Sequence, residues 1–201
     1  MMKSLISAVA LLALANSAYA ASRSADNGYD NGYDNGDTRD SHLGFVVQGN
    51  FEFGGDKIAQ VFYTNGENQS VNAGQGVTLA VGGHYQFASP KLDISATLGY
   101  KYVTTKASNA NIYVGRTVVE VLGSYSFTDS WWMGVGPVWH VNNSFHGDTY
   151  LQNRNFDKAL GFTGKVGWKF VALSYTSINY NDQFKNKYNA SNVGVDIIGR
   201  F

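Results

Sequence analysis

Eight times between Leu43 and Phe201 the chain alternates apolar with polar or small residues, position by position. A period of two is the mark of a strand with two unlike faces. The cleanest run sets Leu92, Ile94, Ala96, Leu98, Tyr100 and Tyr102 against Asp93, Ser95, Thr97, Gly99 and Lys101. Others begin near Leu43, Val77, Tyr113, Trp131, Leu160, Val171 and Ser191. The fourth carries Val118 and Leu122 as apolar exceptions on its polar face. The seventh is the least regular: Val171, Leu173 and Tyr175 alternate properly, but Ile178 and Tyr180 fall on the other parity, which predicts a bulge near Thr176-Ser177.

The connections alternate in length. Short links fall at Ala88-Ser89-Pro90-Lys91, at Thr128-Asp129-Ser130 and around Lys169-Phe170, whereas long polar links run from Gly54 to Gly76, Thr104 to Ile112, Asn142 to Lys158 and Asn181 to Ala190. An even number of up-and-down strands, tight at one end and looped at the other, predicts an all-β fold: an eight-stranded antiparallel transmembrane β-barrel. No run approaches the ~18 continuous apolar residues of a membrane helix. Entry into lipid is therefore expected as closed β-structure, which satisfies every backbone group.

Alternation alone does not say whether the apolar stripe faces a soluble interior or lipid. The other face carries Glu52, Asp93, Glu120 and Asp196 with Lys101, Arg116, Lys165, Lys169 and Arg200, and many glycines that leave these long side chains room. Eight strands enclose space for little more than side chains. Aromatic residues gather at the ends of the greasy stripe, among them Phe87, Tyr100, Tyr102, Tyr125, Phe127, Trp131, Trp139, Trp168 and Phe201. Two aromatic girdles are what a membrane-crossing barrel places at the two interfaces. The apolar face is accordingly assigned outward, and the nine ionisable residues to a closed, polar, salt-bridged lumen, because a buried charge without a partner is costly.

Upstream, Met1-Met2-Lys3, an uncharged stretch from Leu5 to Ala15, and Ala18-Tyr19-Ala20 before Ala21 have the form of a secretory signal peptide cleaved between Ala20 and Ala21. Residues 21–41 then repeat Asp-Asn-Gly-Tyr without one aliphatic side chain after the opening alanines and serines, a composition suited to a solvated tail. A calcium loop is excluded because Gly32 falls where an oxygen ligand belongs. The expected organisation is signal peptide 1–20, tail 21–41 and barrel 42–201. Basic and acidic residues balance, 15 against 15, so nothing points to nucleic acid. With no cysteine, disulfides and thiolate metal sites are excluded, and no cofactor is expected.

The last strand, Ser191 to Phe201, puts Val193, Val195, Ile197 and Phe201 on one side and Asp196 and Arg200 on the other. Ending on an aromatic residue, it resembles the closing strand of bacterial outer-membrane barrels. With the signal peptide, strand count and loop asymmetry, residues 43–201 resemble the small eight-stranded outer-membrane proteins of the OmpA transmembrane-domain and OmpX type. The resemblance implies a Gram-negative outer membrane, contact with its lipid and lipopolysaccharide, and delivery by barrel-assembly machinery that reads Phe201. It also implies a structural or surface-contact role through external loops.

Two readings of the loops follow. Tyr63, Tyr113, Phe145, Tyr150, Phe156 and Phe184 lie among Asn, Gln, Asp and Lys, a mixture suited to contact with an extracellular partner. Ser144, His146 and Asp148 in turn contain the residue types of a nucleophile, base and orienter. Some barrels of this size are lipid A deacylases, with serine and histidine two residues apart on a strand. Here the pair is expected in a polar loop, and strand seven has no histidine, so the chain is expected not to be an enzyme; a lipid A-modifying activity is the alternative.

Overall fold

The computed structural model describes residues 41–62, 68–88, 91–107, 110–147 and 153–201. The expected signal peptide, its cleavage residues Ala20 and Ala21, and the repeat tail lie outside the described residues, as do Asp148, Tyr63 and Tyr150. Among the described residues thirteen strands follow in order: β1 (His42–Phe53), β2 (Lys57–Phe62), β3 (Asn68–Asn72), β4 (Gly76–Gln86), β5 (Leu92–Ala107), β6 (Ala110–Ser126) and β7 (Trp131–His146), then β8 (Arg154–Phe156), β9 (Ala159–Trp168), β10 (Val171–Ser177), β11 (Asn179–Asn181), β12 (Lys187–Asn189) and β13 (Asn192–Arg200).

Eight of these, β1, β4, β5, β6, β7, β9, β10 and β13, pair antiparallel in that order, and β13 returns to β1 to close an up-and-down barrel. Closure leaves no strand edge unpaired around the wall. At the seam Val46 lies opposite Arg200 and Phe53 opposite Val193. The Phe45 and Phe201 backbones exchange two 2.9 Å hydrogen bonds there, and their rings stack at 4.6 Å. The closing strand is thereby held to its last residue.

The barrel is greasy outside and polar within. Leu43, Val135 and Leu173 are 80%, 66% and 68% exposed, while Lys101 and Arg116 are each 1% exposed. Leaving such an exterior in water would forfeit roughly 25 cal/mol per Å² of apolar surface. The wall is therefore built for lipid, as a transmembrane barrel requires. On β7, Trp131 and Trp139 stand eight positions apart, which spans roughly 19 Å of height at 3.3 Å per residue and a ~45° tilt. That separation fits an apolar band between two aromatic girdles.

One end carries the tight turns between β4 and β5, β6 and β7, and β9 and β10, together with both ends of the barrel segment. The opposite end carries the β2–β3 and β11–β12 hairpins and β8, which extends the sheet beside β7. Here three expectations are corrected. The link from Thr104 to Ile112 is not a long loop: β5 and β6 remain paired up to Ala107 opposite Ala110. Its alternate residues Ile112, Val114 and Val103 pack inward on an apolar roof, and the polar residues between them disguise the strand.

Ser144 and His146 are likewise strand residues, since β7 runs to His146. The expected bulge at Thr176-Ser177 does not occur: Ala172, Ser174, Thr176, Ile178, Tyr180 and Asp182 are buried in unbroken alternation. Ile178 and Tyr180 keep their parity; what changes is the interior, which becomes apolar above the barrel wall. The register shift lies instead between β6 and β7 at Gly115/Thr117, with Asn142 at φ +54°. There one extra residue flips the strand, so that His140 and then Asn143 and Phe145 face inward.

Candidate functional site

The lumen is filled in layers whose positions follow from the strand register. Nearest the tight turns, Asp93 on β5 joins His84 Nδ1 at 2.6 Å, the Ser124 hydroxyl at 3.4 Å and Arg200 Nε at 3.7 Å. The Arg200 guanidinium also lies 4.6 Å over the Trp132 ring, a favourable place for a cation. Above this rim sits an apolar floor of Val46, Leu122, Trp132, Ala172 and Ile198. Leu122 thus belongs to a distinct layer. Trp132 fits because Gly167 stands beneath its ring, where a Cβ would fall 2.1 Å from the indole.

The next layer is charged. Lys165 on β9 places its ammonium 2.8 Å from Glu120 Oε1 and 3.0 Å from Asp196 Oδ2. The Ser174 hydroxyl donates to Asp196 Oδ1 at 3.1 Å. Higher still, Lys101 lies 3.0 Å from Glu52 Oε1, and Thr78 donates to the other Glu52 oxygen at 2.9 Å. Between the two charged layers, side chains including Asn50, Thr163 and Thr176 leave a cavity with room for about one water. A network this tight is a packed interior, and that cavity holds nothing larger than water.

Arg116 and Lys101 then reach up to the segment that closes the outer mouth. Arg116 donates to the carbonyls of Ala73 at 2.8 Å and Gln75 at 2.7 Å, and Lys101 donates to Gly74 at 2.7 Å. This strap, between β3 and β4, is pressed against the β12 side of the mouth. Gly55, at φ +84°, allows the approach: a Cβ there would lie 2.3 Å from the Gly74 nitrogen. Over the strap lies the roof of Ala59, Val71, Ile112, Val114, Phe145, Phe156, Ile178 and Tyr180 with their neighbours. His140, below it, is hydrogen-bonded to the Tyr180 hydroxyl.

Eight of the nine expected lumen residues are thus brought together, in three groups. Lys169 is the exception and is corrected: it is exposed in the β9–β10 turn at φ +53°, with its ammonium 5.0 Å over the outward Trp168 ring. Strand parity does not extend through a two-residue turn. The remaining set is four acids and four bases. Sequence reading overlooked Ala73, Gly74 and Gln75, which act through backbone carbonyls and so leave no mark in residue type.

Among the described loop residues, Ser144 and His146 stand on one side of the wall, the outward face of β7, and His140 on the other, in the lumen. No hydrogen bond joins Ser144 to His146; the imidazole stacks on Tyr113 at 4.9 Å instead. Phe145 and Phe156, expected as contact residues, are buried in the roof, while Phe184 is 57% exposed. Phe184 sits on a tight turn built around Asp182, which accepts the Phe184 and Asn186 N–H groups at 2.9 Å each and the Asn186 amide at 3.0 Å. Burial alone would raise that carboxyl, but these bonds and the Arg154 charge outweigh it and hold it below the ordinary carboxylate range.

No family model and no curated protein matches the chain. Among solved structures it is similar to Ail, the attachment invasion locus protein of Yersinia pestis, which was crystallised in complex with the heparin analogue sucrose octasulfate. The likeness has a TM-score of 0.40 at 9% identity and covers 80% of this chain and all of that one.

Proposed function

We propose that this chain is an outer-membrane β-barrel of a Gram-negative envelope, with a structural or surface-contact role and a lumen that stays shut. The observation that carries the reading is the inversion of the barrel: an apolar exterior framed by aromatic residues around an interior of paired charges. Such a wall is stable only in a bilayer, and a wall of strands rather than helices belongs to the outer membrane.

In this reading residues 1–20 direct export and are removed after Ala20, and residues 21–41 form a periplasmic tail. Phe201 contributes to recognition by the assembly machinery, outer-leaflet lipopolysaccharide surrounds the wall, and the looped end faces outward to meet an extracellular partner. In this reading Ser144 and His146 take no catalytic role: no hydrogen bond joins them, and the imidazole packs on Tyr113. The test is fractionation of cells expressing the full chain, with boiled and unboiled samples compared on gels and whole cells treated with protease. Recovery in the outer-membrane fraction, a heat-dependent gel shift and cleavage at the looped end, where the turn carrying Phe184 is exposed, are expected. A soluble periplasmic product would overturn the reading.

A further inference from the structure

At the seam, one buried imidazole stands between two acceptors. His84 on β4 places Nδ1 2.6 Å from Asp93 Oδ2 on β5 and Nε2 3.4 Å from the Phe201 main-chain oxygen, just beyond β13. A main-chain oxygen only accepts, so Nε2 carries a hydrogen in this bond. Asp93 accepts as well. Its other oxygen takes the Ser124 hydroxyl at 3.4 Å and faces Arg200 Nε at 3.7 Å, company that suits a carboxylate. Nδ1 therefore donates too, and an imidazole with two N–H groups is the charged form. Gly44 of β1, opposite His84 in the register, makes room for the meeting: a Cβ there would fall 2.0 Å from the Phe201 oxygen and 2.5 Å from His84 Nε2.

We infer that His84 is a protonation-sensitive latch on the barrel seam: as imidazolium it ties β5 to the last residue of the closing strand, and as neutral imidazole it holds only one of the two. The inference goes beyond the outer-membrane reading, since it concerns how the closed wall is fastened and not where the wall resides. The bond to the Asp93 carboxylate is the stronger of the pair, so the neutral ring keeps its hydrogen on Nδ1. A lone pair on Nε2 then faces the Phe201 oxygen, and the two repel. The Phe45 and Phe201 backbones keep their mutual hydrogen bonds but lose the brace behind them.

Few other groups compete for this role. Among the described residues, the ionisable groups that face His84 are His42 on β1, whose ring meets it edge-on at 5.7 Å, Asp93 on β5, and Arg200 on β13 through Asp93. The adjoining β6 contributes the Ser124 hydroxyl, and β7 the Trp132 ring beneath Arg200. Arginine stays charged, and carboxyl groups titrate at about pH 4. Between about pH 5 and 8 the histidines are thus the groups here that change charge. The latch is shut toward the acid end of that range and slack toward the alkaline end.

The test follows amide hydrogen exchange of the folded chain in detergent micelles at about pH 5.5 and about pH 8, corrected for intrinsic rates. The Phe45 and Phe201 amides, which bond across the seam, are expected to be at least about tenfold better protected at the lower pH, the scale of a hydrogen bond to a charged group. Leu98 and Val119, paired at mid-wall, should not share the change. His84→Gln is expected to abolish the difference and His42→Gln to preserve it. If His84→Gln lacks the heat-dependent gel shift of a folded barrel, nitrogen NMR reads the His84 ring in the native chain. Two attached hydrogens are expected at about pH 5.5 and one, on Nδ1, at about pH 8. Equal seam protection at both pH values, a change shared by mid-wall, or a singly protonated His84 at the lower pH overturns the inference. So does a difference that survives in folded His84→Gln or vanishes in His42→Gln. None of these results touches the outer-membrane reading, which fractionation decides.

Discussion

Lys165 is held by two carboxylates on strands to either side of its own neighbours: Glu120 across β7 and Asp196 across β10. Removing the ammonium leaves two carboxylates facing each other in a closed space. Lys165→Met is therefore expected to cost about 3–5 kcal/mol, read as a lower urea midpoint for loss of the folded gel band. Adding Glu120→Gln and Asp196→Asn should return most of that loss; a neutral Lys165→Met would show that the layer is not structural. Asp182 gives a second test, on the loops. Its carboxyl is held below the ordinary value of 3.8, so its stabilisation is complete above that value and is lost as pH falls through the lower folded one. Amide protection of Phe184 and Asn186 should stay level from neutral pH down to about pH 4 and fall only below it. Equal protection in Asp182→Asn at every pH would refute the role of the charge.

At the scale of the strand, the two faces make opposite demands. Val121 faces outward on β6 between Tyr125 and Thr117, near mid-height of the wall. Val121→Arg is expected to cost ~2–4 kcal/mol, whereas Ser124→Thr, inside and bonded to Asp93, should be nearly silent. Equal tolerance of both in the heat-shift assay would mean that the faces are reversed. This much was legible, because alternation is a local property that each strand states for itself. Where the strands stop was not. Thr104 to Ile112 reads as a loop on composition, yet Val103 and Ile112 keep it a sheet by packing under the roof. Ile178 and Tyr180 read as a slip of register because apolar residues were equated with lipid contact, and that equation ends where the wall rises out of the bilayer. The pairing of the charges was also illegible. Glu52 meets Lys101 across β4, and Lys165 meets its partners across one strand on either side. Such contacts depend on the stagger between strands, which no single segment encodes.

Over the whole molecule, the rim pair Asp93 and Arg200 cancels within its own layer, whereas the two layers above it cancel against each other. Glu52 with Lys101 and Arg116 leaves one positive charge, and Lys165 with Glu120 and Asp196 leaves one negative charge directly below it. Each layer stabilises the other through a medium where water is nearly absent. The arrangement also blocks the bore at four levels: the Trp132 floor, the two charged layers, and the strap fixed by Arg116 and Lys101 beneath its roof. A conducting path would have to break all four, and no single side chain spans them all: Lys101 and Arg116 join the upper charged layer to the strap and reach no further. The native barrel in a planar bilayer is therefore expected to show no steady conductance. Trp132→Ala, which removes the bulkiest floor residue, should leave it shut, because Lys165 and the strap still fill the levels above. Arg116→Ala should loosen the strap, which Lys101 still holds at Gly74, without opening the floor and so should not conduct either. Steady current through either single variant would mean that one layer alone seals the lumen, and that the barrel is a gated pore rather than a filled post in the membrane.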